Sequence, residues 1–273
     1  MNGAMLSVRG KKIESRHIGR PAGPTLVFLH EGLGSVGLWR DFPDQLAEST
    51  RLPAFVYSRA GYGRSDPAEM PRPVRYMHDE AELLPEILRA GGIDEPILVG
   101  HSDGASISVI HAGSGGSARA LVLLAPHVFT EEMGLRSIAK ARDAYEQGDL
   151  RRRLAKYHDD VDAAFWGWNR PWLDPGFREW NLEGFLPRIA APILVVQGEQ
   201  DEYGTRAQVD AIQRGAPDVE AVMLPGCGHS PHRDQPEATL NAVASFLRRR
   251  GVTAGKSPAP ALDPARRRRP RRA

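Results

Sequence analysis

Pro96-Ile97-Leu98-Val99-Gly100-His101-Ser102-Asp103-Gly104-Ala105 joins a continuous apolar run to a helical pattern, with a serine at the joint and a glycine two residues to either side of it. An apolar run without polar alternation marks a strand buried on both faces. Where such a strand turns sharply into a helix, the residue at the corner takes a strained backbone conformation, and flanking glycines let neighbouring backbone come close. Gly100-x-Ser102-x-Gly104 is a short pattern that also arises by chance. Here a strand precedes it and a helix follows it, so Ser102 is the candidate nucleophile.

To either side of this stretch the same grammar repeats. Apolar runs recur at Thr25 to Leu29, Ala54 to Ser58, Ala120 to Ala125, Ile193 to Gln197 and Ala221 to Leu224, and two alternating segments between Met5 and Ile18 flank Arg9-Gly10-Lys11 as a hairpin would. Helical patterns lie between them at about Leu38 to Glu48, Met77 to Ala90, Ala105 to His111, Thr205 to Arg214 and Pro236 to Arg249. Strand alternating with helix predicts an α/β fold, a mostly parallel eight-stranded sheet with helices on both faces. From His127 to Arg188 helical stretches continue without a strand. Residues 128–188 are thus expected to form a helical cap inserted into a core domain of residues 1–127 and 189–250. The cap holds four of the five tryptophans, Trp166, Trp168, Trp172 and Trp180. An insertion at the carboxyl end of an open sheet can roof a ligand site, and Trp166 and Trp168 are expected to do so, although such rings also serve to pack a cap onto its sheet.

Composition narrows the partners. Of 273 residues, 41% are hydrophobic and 26% charged, enough for one sizeable core. The net charge of +2 hides an asymmetry: from Arg248 to Ala273 ten Lys and Arg face one acid, a net of +9, which leaves −7 for residues 1–247. The segment 251–273, rich in Pro, Ala and Arg, has the composition of a disordered basic tail rather than of a nucleic-acid-binding domain. No apolar run approaches the ~20 residues of a membrane span, and the N-terminus lacks the apolar stretch of a secretory leader. A cytoplasmic location with no membrane and no nucleic-acid partner is expected. Cys227 is the only cysteine, so no intramolecular disulfide can form. His229 and His232 form a pair without metal-ligand spacing, and no metal or other cofactor is expected.

A serine hydroxyl needs a positioned base, itself oriented by a carboxylate. Gly198-Glu199-Gln200-Asp201 follows one strand and Gly226-Cys227-Gly228-His229 the next, both at strand ends where loops can converge on Ser102. From about residue 5 to 250 the chain resembles the α/β-hydrolase superfamily, whose chain order is nucleophile, acid, base. The resemblance implies Ser102 as nucleophile, Asp201 as acid and His229 as base. Asp201 matches the family's G-x-x-D position, with Glu199 and Glu202 as rival carboxylates. His30, His101, His111 and His232 are the other histidines weighed, and none follows the last strand as His229 does. Backbone N–H groups for the developing oxyanion are implied at Asp103 and at Gly32, with Leu33 the alternative to Gly32, in the loop His30-Glu31-Gly32-Leu33-Gly34. That loop departs from the family at Glu31, where glycine is usual. Ser58 to Pro67 resembles the glycine-rich loop after the fourth strand. Pro67, Pro71 and Pro73 replace the helix that a dinucleotide-binding loop would open.

These residues imply acyl transfer to Ser102 and then to water, with a small-molecule acyl substrate. A small carboxylic ester or thioester is the expected substrate, with Glu31, Leu33, Trp166 and Trp168 around it. Carboxylates at Glu31 and Asp103 leave room for an aminoacyl ester or amide, and related carbon–carbon bond hydrolases and a lyase resemble the chain too. A receptor-like module with vestigial hydrolysis is the reading from a different class.

Overall fold

Residues 3–252 are described by the structure, a computed structural model; the basic tail expected at 251–273 falls, beyond residue 252, outside the described residues. Eight strands, β1 (Ala4–Val8), β2 (Lys11–Ile18), β3 (Pro24–Leu29), β4 (Ala54–Tyr57), β5 (Glu95–His101), β6 (Ala120–Leu124), β7 (Ile193–Gly198) and β8 (Val219–Leu224), form one sheet in the order β1-β2-β4-β3-β5-β6-β7-β8. β2 pairs antiparallel with both its neighbours, and every other pairing is parallel. The helices are α1 (Phe42–Thr50), α2 (Tyr76–Ala90), α3 (Asp103–Gly113), α4 (Glu132–Glu146), α5 (Leu150–Leu154), α6 (Val161–Leu173), α7 (Arg206–Gly215), α8 (Pro231–Asp234) and α9 (Pro236–Arg249).

The period of two along each strand sorts the apolar runs into two layers. Leu26 and Phe28, with Ile97 and Val99, face α1 and α9; Val27, Leu29 and Leu98 face α2, α3 and α7. Helix α3 is buried along its whole length, which a helix without a polar face requires. One expected helix is divided. Instead of a run from Leu38, a 3₁₀ turn at Val36–Trp39 ends at Arg40, whose φ is 53°, and α1 starts at Phe42. The positive-φ Arg40 separates the two, and Pro43 sits in the first turn of α1, where its missing N–H costs least.

Strand β3 lies between β4 and β5, so the chain leaves it to one side and later returns on the other. That reversal opens a crevice at the carboxyl ends of β3 and β5, where Leu29 is paired with Gly100. Between β6 and β7 lie α4, α5, α6 and 3₁₀ turns at Pro175–Glu179 and Glu183–Arg188, with Phe129 and Asn181 joined by an isolated bridge. Their core is aromatic: Tyr145 stacks on Phe165 at 3.7 Å, and Trp172 packs on Phe177 at 4.3 Å. Among the described residues no helix is long and apolar enough to cross a membrane.

Phe28 is fully buried and meets Trp39 at 5.1 Å and Phe42 at 6.2 Å, both edge-on. Phe28→Ala is expected to lower stability by about 3–5 kcal/mol, read as a fall in the urea midpoint at unchanged slope.

Candidate active site

β5 ends at His101, α3 begins at Asp103, and Ser102 stands between them with φ 52° and ψ −116°. Such a conformation costs a non-glycine residue of order 1–3 kcal/mol and persists only where the surroundings dictate it. They do so here through glycine. A Cβ on Gly100 would overlap the carbonyl oxygen of Gly104, and one on Gly104 would overlap that of Leu29. Ser102 donates its N–H to Leu124 O at 2.9 Å, which ties the corner to the end of β6.

The structure brings Ser102, Asp201 and His229 together. His229 Nε2 lies 2.9 Å from Ser102 Oγ, and His229 Nδ1 lies 2.9 and 2.8 Å from the two carboxylate oxygens of Asp201. Asp201 also accepts from Gln197 Nε2 at 2.7 Å and from the N–H of Tyr203 at 2.8 Å. Burial opposes ionisation of Asp201, but His229 and the Tyr203 N–H outweigh it and hold the carboxyl down to about 2. Burial likewise lowers His229, and the adjacent Asp201 carboxylate reverses this to leave it above the usual histidine range. The acid and base loops touch at Gly198, where a Cβ would overlap the carbonyls of Cys227 and Gly228. Gln197 was not singled out from the sequence. It is the one polar residue in the apolar run of β7, and that is the signal that marks it.

The rivals stand elsewhere. Glu199 and Glu202 are exposed, and Asp201 alone meets His229. His30 is engaged on both nitrogens: Nδ1 donates to Glu31 O at 2.7 Å, so Nε2 accepts from the Arg59 N–H at 3.1 Å. His101 Nε2 donates to His229 O at 2.7 Å, His111 meets Ser117 O, and His232 is buried against Trp39. Burial pushes His30 and His232 well below the usual histidine range.

Between the loop after β3 and the start of α3, the N–H groups of Gly32, Leu33 and Asp103 have no acceptor among the described residues. A helix's first N–H groups lack intrahelical partners, so Asp103 is open as a donor. The β3 loop is braced from below by Arg59, which donates to His30 O at 2.5 Å and to Glu31 O at 3.0 Å.

A cavity of about 400 Å³ opens over Ser102 and His229, with Glu31, Gly32 and Leu33 at its floor. Trp168 and Trp172, one helical turn apart on α6, form its roof with Ile138 and Leu154. Trp166 is not part of it. Two residues before Trp168, it faces the other side of α6, edge-on to Phe165 at 5.0 Å and under the Arg170 guanidinium. Trp172, spaced four residues from Trp168, takes the place expected of Trp166. The Asp103 carboxylate does not face the substrate, as the amine-binding alternative would require. Its side chain is fully buried and accepts from Tyr76 Oη and, at 3.2 Å, from Trp172 Nε1. Glu31 does reach the cavity. Burial resists its charge, but His101, whose Nδ1 lies 3.4 Å away, holds its carboxyl well below the usual range. His127 lines the wall beside His229, 5.4 Å between ring centres, and is pushed down to about 3 by burial and by the charge of His229. Arg153, Arg233 and Glu202 rim the mouth. No group of three His, Cys, Asp or Glu among the described residues is placed to hold a metal ion.

Because the Asp201 carboxyl is held at about 2, below its ordinary 3.8, the stability it contributes is present above pH 3.8 and is lost as pH falls towards 2. Asp201→Asn is expected to remove about 2 kcal/mol of that acid-side loss, measured by urea unfolding between pH 2 and 5.

A family model described as the alpha/beta hydrolase family matches residues 26–242. The chain is 26% identical over 255 residues to the 2-(acetamidomethylene)succinate hydrolase of Mesorhizobium japonicum, covering 83% of this chain and 88% of that one. It is 24% identical over 256 residues to the serine hydrolase BPHL of Mus musculus, covering 89% and 86%. Among solved structures, the 2-hydroxy-6-oxo-6-phenylhexa-2,4-dienoate hydrolase of Rhodococcus sp. strain RHA1 superimposes with a TM-score of 0.78 at 17% identity, over 90% of this chain and 98% of that one. A match that runs from β3 into α9, over the sheet and crevice just described, makes this chain a member of the alpha/beta hydrolase family.

Proposed function

We propose that this hydrolase cleaves a small carboxylic ester or thioester through an acyl-enzyme on Ser102. The observation that carries the reading is the continuous relay from Ser102 Oγ through His229 to the Asp201 carboxylate, at 2.9 and 2.8 Å. Ser102 Oγ attacks the substrate carbonyl while His229 Nε2 takes its proton, and Asp201 stabilises the imidazolium that forms. The oxyanion is received by the N–H groups of Gly32 and Asp103, each worth roughly 3–4 kcal/mol to the transition state. His229 then protonates the departing alcohol or thiol, and water attacks the acyl-enzyme by the reverse proton path. No group beyond the chain, the substrate and water is needed. His229 accepts a proton only when neutral, and its raised pKa keeps it charged to a higher pH than a free histidine.

Ser102→Ala is expected to lower turnover of a p-nitrophenyl acyl ester by ~10⁴-fold or more. Most of the activity surviving that change would remove the nucleophile from the mechanism, and no labelling of the native chain by a fluorophosphonate would favour a ligand-binding module. Amine recognition is weakened relative to the sequence reading, because the Asp103 carboxylate is consumed within the protein.

A second reading, an ester or enol substrate that carries its own carboxylate, is favoured by Arg233 at the cavity mouth, beside an Arg153 already paired with Asp149 at 3.3 Å, and by a relative named 2-(acetamidomethylene)succinate hydrolase. Arg233→Gln is then expected to raise KM for a succinate half-ester about tenfold with kcat unchanged, and to leave a neutral ester of the same length unaffected. Equal KM changes for the two esters would count against it.

A further inference from the structure

The mechanism uses the N–H of Asp103 and nothing of its side chain, yet that side chain is a carboxylate with no exposure to water. A buried charge costs several kcal/mol unless it is paired and fully hydrogen-bonded, so its partners show what it does. Tyr76 Oη, from α2, and Trp172 Nε1, from α6, both donate to it, and Trp172 Nε1 lies 3.0 Å from Tyr76 Oη as well. Arg59, as buried as Asp103, comes within 3.8 Å of it. Arg72 and Glu80, half-buried and 3.2 Å apart, lie nearby, but of the cations around Asp103 it is Arg59 that most opposes the burial that raises its pKa. The same guanidinium donates to the carbonyls of His30 and Glu31, immediately before Gly32.

We propose that Asp103 is a positioning residue whose carboxylate couples the cap helix α6 to the oxyanion loop. The linkage is continuous: the Trp172 indole that roofs the cavity bonds to Asp103, Asp103 balances Arg59, and Arg59 holds the two carbonyls that set the Gly32 N–H. A substrate that fits the roof badly displaces Trp172, and the displacement reaches the oxyanion donors as well as the binding wall. The acyl group is thereby read in turnover and not in affinity alone. This inference rests on the reading of Ser102 as nucleophile.

The experiment is a double-mutant cycle of Asp103→Asn and Trp172→Phe. In Asp103→Asn the amide oxygen can still accept from Trp172 while its NH2 faces Tyr76 Oη and reverses that hydrogen bond, and Arg59 loses its counter-charge. Trp172→Phe keeps an aromatic roof and removes the N–H. Turnover of p-nitrophenyl acetate and butyrate is measured per active site titrated with a fluorophosphonate, so that misfolded protein does not count. Asp103→Asn is expected to lower kcat per titrated site by about tenfold or more with KM changed much less, as loss of donor alignment does. The double variant is expected to be no worse than the poorer single one, because both changes cut the same linkage. If Asp103→Asn does not fold, Arg59→Lys, which keeps the charge but loses the fork that holds both carbonyls, takes its place in the cycle with the same expectation. A kcat per site within about twofold of the native enzyme, or losses that multiply in the double variant, would overturn the proposal. Either result beside an inactive Ser102→Ala enzyme leaves the acyl-enzyme reading standing, whereas an active Ser102→Ala enzyme removes both.

Discussion

Everything in the crevice depends on how closely three backbone segments approach at Ser102. The end of β5, the first turn of α3 and the end of β3 meet with no room for a side chain at Gly100 or Gly104, and the positive φ of Ser102 is what that crowding leaves. The strain at one residue is held by the packing of the whole sheet, since Leu29 is aligned by pairing with Gly100 and α3 is buried along its length. A relaxed corner would let the hydroxyl swing. A clamped one fixes the hydroxyl against His229 and leaves the Asp103 N–H without an internal partner.

Electrostatics then selects among the crowded histidines. His30, His127 and His232 share the same desolvation as His229, and in each of them burial lowers the pKa with no carboxylate strong enough to reverse it. His229 differs by a single contact, the Asp201 carboxylate on Nδ1, which fixes the tautomer that leaves Nε2 free to accept from Ser102. Gln197 and the Tyr203 N–H hold that carboxylate from behind.

The sheet was legible because strands buried on both faces must be apolar, and the centres of β3 to β7 are, with polar residues such as Thr25, Glu95, His101 and Gln197 confined to the strand ends. Ser102, Asp201 and His229 were legible because chain order and strand ends bring them together whatever the loops do. What escaped is side-chain direction. Trp166 and Trp168 are indistinguishable in composition, and only the rotation of α6 in its packing sends one to solvent-side neighbours and the other, with Trp172, to the cavity. The fate of the Asp103 carboxylate escaped for the same reason, since Arg59, Tyr76 and Trp172 lie 27 to 69 positions from it and nothing local links them. The start of α1 carries a local signal in Pro43, which suits a first turn.

The contact between Gly32 and Trp168 bears on how such an enzyme can change over generations. A Cβ at position 32 would lie inside the Trp168 indole ring, so floor and roof are not independently variable. Alanine at 32 becomes tolerable only after position 168 has shrunk, and the order of the two substitutions decides whether a lineage passes through an active intermediate. In this chain a change at position 32 therefore has to be matched by a smaller side chain at 168.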